Sequence, residues 1–151
     1  MDKTDIRILN LLSEQARMSA SELSEKVNLS VSAVSERIRK LESAGVIRQY
    51  VALLDEKKLG LDVNAFMCVM MDHPRFNTKL IEYVRQSRAI VECSYLAGDY
   101  DFLLNIHTEN SQSLERILDE IKSVPGVGRT KTMLVLSTAK QVYSTKIKEK
   151  E

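Results

Sequence analysis

The sequence predicts an α+β fold with a helical N-terminal part and a ferredoxin-like C-terminal part. Three observations predict it. The first 45 residues carry apolar side chains at helical spacing, the pattern changes to alternation after Gly45, and the chain from Val63 onward follows the order β-α-β-β-α-β. With 151 residues, the chain has room for one medium domain or two small ones.

The first two helices are indicated by periodicity and by a cap. The apolar positions of residues 2–14 recur at the 3.6-residue period of an amphipathic helix, chiefly at Ile6, Leu9 and Leu12. Ser19 followed by Glu22 forms a capping box, in which each side chain satisfies a backbone amide at a helix start. A second helix therefore follows Ser19.

A third helix follows after a very short turn. Ser30 is placed to cap it, and Gly45 is placed to end it in the left-handed conformation that glycine tolerates. Its apolar residues follow spacings of three, four and three, at Val31, Val34, Ile38 and Leu41, and the last three are placed to point inward. Two helices joined by a tight turn predict a helix-turn-helix.

The segment after Gly45 divides the chain. "VIRQYVALLD", residues 46–55, alternates and is rich in β-branched residues, so it is predicted to be a strand. "EKKLGLD" is the polar, glycine-containing linker. The predicted organisation is a helix-turn-helix domain, a linker strand or hinge, a ferredoxin-like domain and a C-terminal tail that we expect to fray, at residues 1–52, 53–61, 62–140 and 141–151.

The C-terminal part alternates strands with helices. The predicted strands are 63–72, 90–98, 102–108 and 128–137, and the predicted helices are 76–87 and 113–124. The first strand is apolar on both faces, including its methionines, whereas two helices cover only one face of a four-stranded sheet. A second copy of the chain is the expected cover for the other face.

Composition limits the function without choosing it. The net charge of +1 neither favours nor opposes a nucleic-acid partner, because a few clustered cations suffice. Cys68 and Cys93 have no metal-site spacing and are expected to be buried free thiols. No membrane span or signal segment is evident, so a cytoplasmic protein is expected. We find no catalytic or metal motif and expect no cofactor.

The outward side of the third helix is the candidate DNA-contacting surface. Small residues near its start permit close approach to base edges, while cations reach phosphates or guanine. The candidate residues are Ser30, Ser32, Ala33, Ser35, Glu36, Arg37, Arg39 and Lys40. A solvated helix face with an ordinary Glu36–Lys40 pair is the alternative. We expect Arg37→Ala to weaken DNA binding and to leave the fold intact.

Three stretches resemble the Lrp/AsnC, or feast/famine, family of transcription regulators. They are "DKTDIRILNLL", "LSEKVNLSVSAVSERIRKLESAGVIRQYVALLD" and "GDYDFLL". The resemblance implies a winged helix-turn-helix that binds double-stranded DNA. It also implies a RAM-type ferredoxin-like domain that forms homodimers, assembles them into octamers or similar particles, and binds small effectors, commonly amino acids. Val31 departs from the proline often found there, and both residues suit a first helical turn.

"AGDYDF", residues 97–102, is the candidate effector loop. As a pattern, it is equally typical of a β-hairpin turn. In the functional interpretation, Asp99 and Asp101 offer carboxylates to an ammonium group, and backbone amides near Gly98 and Tyr100 hold a carboxylate. The resemblance favours this loop and implies that hydroxyls from a neighbouring chain join it, at positions matching Thr130 and Thr132.

The leading prediction is thus a sequence-specific transcriptional regulator that responds to an amino acid. An architectural DNA-compacting protein shares every one of these features and differs only in its specificity ratio. Sirohaem decarboxylases resemble the same two-domain architecture, so an enzyme is a further alternative. Such an enzyme would be expected to line a haem-sized pocket with His and Arg, and the chain has only two histidines.

Overall fold

The computed structural model describes residues 1–148, which form two compact units. The helical unit comprises Met1–Leu53 together with the C-terminal segment from Lys140. The sheet unit comprises Leu54–Ala139.

The helical unit has the three predicted helices. They are α1 (Lys3–Glu14), α2 (Ala20–Val27) and α3 (Val31–Ser43). One apolar cluster joins them, and its buried members are Ile8, Leu12, Leu23, Val27 and Val34. The inward stripe predicted for α3 is mostly correct, because Val34 and Leu41 are buried and Ile38 is half-buried against the cluster.

Side-chain caps fix the helix starts. The predicted box at α2 is confirmed, since the Ser19 hydroxyl accepts a hydrogen bond from the Glu22 amide and the Glu22 carboxylate accepts one from the Ser19 amide. A second box starts α1, where Asp2 and Asp5 exchange the same two bonds at 2.9 Å each. The acidic pair therefore satisfies amides that have no partner within the helix.

The end of α3 is a Schellman motif. Gly45 has φ +70°, its amide donates to the Glu42 carbonyl at 2.9 Å, and the Val46 amide donates to the Leu41 carbonyl at 2.9 Å. This is the left-handed position that the sequence predicts for glycine.

The predicted strand over residues 46–55 is wrong. The structure assigns that segment to no strand, and the sheet order contains no strand from it. A strand exists only through pairing with a neighbour, and alternation alone does not supply one. The segment instead presents exposed apolar side chains, at Val46, Tyr50, Val51, Leu53 and Leu54.

The predicted fraying of the C-terminal tail is wrong at Lys146 and Ile147, and residues 149–151 of that tail lie outside the described residues. The Asn10 side chain donates to the Ile147 carbonyl at 3.0 Å and accepts from the Ile147 amide at 2.9 Å. Lys146 forms an ion pair of 2.5 Å with Glu14. Lys146 and Ile147 of the predicted tail therefore contact α1. The Asn10–Ile147 contact spans 137 residues, so local sequence cannot reveal it.

The sheet unit has the predicted ferredoxin-like topology. Its elements are β1 (Val63–Met71), α4 (Asn77–Gln86), β2 (Ile90–Tyr95), β3 (Phe102–Thr108), α5 (Ser111–Lys122) and β4 (Val127–Leu134). The strands are antiparallel in the order β2-β3-β1-β4. Alternate residues of the central strands form the core beneath α4 and α5, notably Met67, Val69, Leu104 and Ile106.

The opposite sheet face lies open over much of its area. Phe66, Cys68 and Met70 are half-buried there, as the two-sided apolar pattern of β1 predicts. At one end, the linker contributes Glu56, whose carboxylate lies 3.1 Å from Nδ1 of the buried His107. Linker residues 57–59 form a single 3-10 turn rather than a strand.

Candidate nucleic-acid interface and effector site

The start of α3 presents small hydroxyls. Ser30 is the N-cap, and its Oγ accepts from the Ala33 amide at 3.2 Å and lies 3.1 Å from the Ser32 Oγ. Ser32 and Ser35 are exposed, whereas Ala33 is half-buried. The tight turn before α3 is closed by Asn28 in the left-handed conformation, with φ 54°. The N-terminal part of α3 is therefore accessible and its hydroxyls point to solvent or to one another.

The cations of α3 differ in their partners. Arg39 is exposed, and no ion pair engages it within residues 1–148. Lys40 lies 3.0 Å from Glu36 in an exposed i,i+4 pair, and the Lys40 ammonium is the main reason why the pKa of the Glu36 carboxyl is lowered. Arg39 is thus the cation that α3 offers without an internal partner in the described part of the chain.

Arg37 departs from the exposed position that the sequence predicts for it. Its Nη1 lies 2.7 Å from Asp2 Oδ2 and 2.7 Å from Asp5 Oδ1, and the side chain is 32% exposed. The hydrogen bonds to Asp2 and Asp5 raise the pKa of the guanidinium. Arg37→Ala therefore removes an ion pair within the unit, and the expectation that such a variant keeps its fold stays a prediction. Its role at DNA remains a prediction.

The candidate effector loop separates its two aspartates. Asp101 is half-buried, and its Oδ2 accepts from the Met71 amide at 2.7 Å while its own amide donates to the Val69 carbonyl at 2.9 Å. These bonds lie where the pairing of β1 with β4 shifts register between Val69 and Met71. Asp101 consequently has a structural contact, whereas Asp99 and Gly98 are exposed at the tip.

Sequence reasoning missed Arg129 beside this loop. Its guanidinium carbon lies 5.1 Å from the centre of the Tyr100 ring, in a cation–π contact. Arg129 and Asp99 give the loop region one exposed cation and one exposed anion. The only signal in the sequence was a basic residue directly before Thr130, too common a feature to single out.

The structure does not bring the threonines to the same side as Arg129. Thr130 pairs with Val69 and Thr132 with Met67, both of which are buried beneath the helices. Because side chains alternate along a strand, Arg129 points to the opposite face of the sheet from Thr130. The two threonines therefore complete a site with the loop only if a neighbouring chain presents them, as the prediction supposes.

No group of three His, Cys, Asp or Glu side chains suited to a metal ion lies within residues 1–148. Across the same residues, no helix is long and apolar enough to cross a membrane. Both cysteines are free thiols, and burial raises the pKa of Cys93.

A helix-turn-helix with an exposed, partly basic helix, followed in the chain by a ferredoxin-like unit, indicates a DNA-binding protein with a second domain. Comparison with known proteins agrees. Residues 1–48 match the model of a winged helix-turn-helix DNA-binding domain, and residues 64–145 match that of the Lrp/AsnC ligand binding domain. The chain belongs to the Lrp/AsnC family of transcriptional regulators.

Relatives and solved structures extend over nearly the whole chain. The HTH-type transcriptional regulator FL11 of Pyrococcus horikoshii is 35% identical over 148 residues, covering 98% of this chain and 97% of that protein. The proline dehydrogenase transcriptional activator of Rhizobium radiobacter is 36% identical, covering 93% of this chain and 92% of that protein. A transcriptional regulator of Neisseria meningitidis, solved with L-Met, superposes with a TM-score of 0.92 at 34% identity and covers 96% of each chain.

Proposed function

We propose that the chain reads double-stranded DNA with the outer face of α3 and that a free amino acid bound at the 98–101 loop modulates this reading. The observation that carries the DNA part is the accessible face of α3, with Ser32, Ser35 and Arg39 exposed after a tight turn. In a helix-turn-helix, this part of the second helix enters the major groove, and two copies in a dimer read half-sites about one helical turn apart.

An amino acid fits the charges near the loop. An amino acid carries an ammonium and a carboxylate, and the exposed Asp99 and Arg129 are of the two complementary signs. The Asp101 carboxylate already accepts a hydrogen bond from the Met71 amide, and its contact with the effector stays a prediction. The regulator solved with L-Met and the activator named for proline dehydrogenase support an amino acid as the chemical class.

We further propose that the working form is a homodimer, with larger assemblies such as an octamer built from it. The open face of the sheet and the exposed apolar segment 46–54 support this. On that face Phe66, Cys68 and Met70 of β1 are only half-buried within one chain, so a second copy would bury them further.

DNA binding is tested by fluorescence anisotropy with duplex from upstream of the protein's own gene and a scrambled duplex, each at two salt concentrations. The regulator predicts tight binding to the native duplex, and Arg39→Ala should weaken it while Arg85→Ala, an equal charge change on α4, should not. Equal binding to both duplexes with a steep salt dependence would instead favour the architectural protein. Absence of binding at micromolar protein and low salt would overturn the proposed use of α3.

The effector is tested by repeating the titration with each amino acid singly. We expect one or a few to change the affinity for the native duplex, and Asp99→Ala and Arg129→Ala to remove that response. Asp119→Ala, on α5, is the matched surface control. An unchanged response in both loop variants would show that the effector binds elsewhere.

The enzyme alternative gains no support from the histidines, since His73 caps a short helix and His107 contacts Glu56.

A further inference from the structure

We propose that Arg37 is a positioning residue that holds α3 against the start of α1, and that it does not contact DNA. This inference rests on the proposed use of α3 as the DNA-reading helix. Its starting point is the bridge that one guanidinium nitrogen makes to two carboxylates, at 2.7 Å to Asp2 and 2.7 Å to Asp5.

The two carboxylates already define the beginning of α1. Asp2 is its N-cap and Asp5 is its third residue, and each accepts a hydrogen bond from the other's amide. By bonding both, Arg37 ties the middle of α3 to the first turn of α1 across 35 and 32 residues. The bridge thus joins α3 to the first turn of α1, whose conformation the Asp2–Asp5 capping box already fixes.

The electrostatics of the bridge disfavour a phosphate contact. Two carboxylates surround one guanidinium, so the group carries a net negative charge where a phosphate would have to approach. Asp5 is only 15% exposed, and Arg37 would have to leave both carboxylates to reach DNA. Arg39 has no such partner within the described residues.

Helical geometry separates Arg37 from the proposed reading face. Each residue advances about 100° around a helix, so Arg37 lies about 160° from both Ser35 and Arg39. Ser35 and Arg39, four residues apart, lie about 40° from each other. A face centred on Ser35 and Arg39 can meet a groove only when Arg37 points toward the body of the unit, where Asp2 and Asp5 receive it.

Salt dependence distinguishes a positioning residue from a phosphate contact. The full chain is titrated with a duplex enriched by the wild-type protein from a random pool, and with a scrambled duplex, over a range of salt. Arg37→Met should lower the ratio of the two affinities at least about fivefold, the low end for one misplaced base contact. The slope of log affinity against log salt should not change. Arg39→Met, the matched control, should reduce that slope by about 0.9, as expected for one lost phosphate contact.

Neutralising Asp2 and Asp5 is a second test, because a positioning role and a direct DNA contact of Arg37 predict opposite changes in the affinity ratio. Asp2→Asn with Asp5→Asn retains a good N-cap residue and the Arg37 cation but removes the charges of the bridge. If Arg37 is a positioning residue, the ratio of affinities for the selected and scrambled duplexes should fall as it does in Arg37→Met. Adding Arg37→Met to the two acidic substitutions should then cause no further fall. A direct contact predicts an equal or higher ratio, because Arg37 is released toward DNA. Arg37→Lys, which keeps a cation able to bond both carboxylates, should restore most of the ratio.

The measurements distinguish a failure of the positioning role of Arg37 from a failure of the proposed use of α3 at DNA. A salt slope that falls by about 0.9 in Arg37→Met, or a ratio that rises in the acidic double variant, overturns the positioning role. An unchanged slope in Arg39→Met overturns the use of α3 as the reading face instead. Should Arg37→Met fail to fold by circular dichroism, the acidic double variant carries the same decision, because the two roles of Arg37 predict opposite changes in its affinity ratio.

Discussion

The helical unit and the sheet unit each contain two like-charged residues spaced two apart, of which one is bound internally and the other is exposed. In the helical unit, Arg37 is held by two carboxylates and Arg39 is exposed. In the sheet unit, Asp101 is held by a backbone amide and Asp99 is exposed. Availability to a ligand therefore depends on the internal partner of a residue, and its charge alone does not decide it.

The two internal contacts differ in kind. The Arg37 bridge joins partly exposed side chains whose charges water screens in part, so it contributes about 1 kcal/mol or less to the stability of the unit and mainly fixes an orientation. The Asp101 carboxylate satisfies an amide of β1, a half-buried backbone group that would otherwise lack a partner at the register shift. The sheet unit should thus lose more stability than the helical unit when its bound residue is removed.

The largest expected effect is that of Asp101→Ala. Leaving the Met71 amide without an acceptor should lower the free energy of unfolding of the sheet unit by about 1–3 kcal/mol. Urea unfolding followed by a probe in the sheet unit measures it. Asp99→Ala is the control and should change stability by less than about 0.5 kcal/mol. An equal fall in the free energy of unfolding of both variants would contradict a structural role for Asp101 that Asp99 lacks.

A smaller effect is expected for Arg37→Met on the stability of the helical unit. Ion pairs near the surface contribute about 1 kcal/mol or less, so the melting temperature of this unit should fall by about 8 °C at most. The measurement is thermal unfolding by circular dichroism at moderate salt, with Arg39→Met as the control. A drop as large as that produced by Asp101→Ala would show that the bridge is a main support of the fold.

The smallest effect concerns acid. Hydrogen bonding to the Asp5 amide, followed by the bond to Arg37, holds the pKa of Asp2 below its ordinary value of 3.8. Hydrogen bonding to Ser19 lowers the pKa of Glu22 below 4.5 in the same way. Because these pKa values are depressed in the folded state, the carboxylates stabilise it above their ordinary values. That contribution is lost as the pH falls through the folded values.

Acid should affect the helical unit more than the sheet unit. Hydrogen bonds lower the pKa values of several carboxyl groups, at Asp2, Glu14, Glu22 and Glu36 in the helical unit and at Glu109 in the sheet unit. Melting curves between about pH 6 and pH 3 should show the helical transition falling first. Glu22→Gln should reduce this sensitivity. A sheet transition that falls equally early would remove the contrast.

Much of the fold follows from short-range sequence patterns. The Ser19–Glu22 box, the Ser30 cap and the Gly45 ending involve residues at most five apart, so their spacing is sufficient to predict them. The alternation of β1 likewise predicts which of its side chains are buried. The candidate DNA-reading face was predicted from two local features, the tight turn and α3, which follows it.

What the sequence by itself determined is the set of helices, the topology of the sheet and the family of the protein, because each depends on local spacing or on motifs. Only the tertiary structure decided which charged residues are already bound. Arg37 meets Asp2 across 35 residues, Asp101 meets Met71 across 30, and Asn10 meets Ile147 across 137. The unpaired segment 46–55 has the same explanation, since its strand pattern is local and a pairing partner is not. Such contacts depend on how distant segments pack, and no periodicity in the chain encodes them.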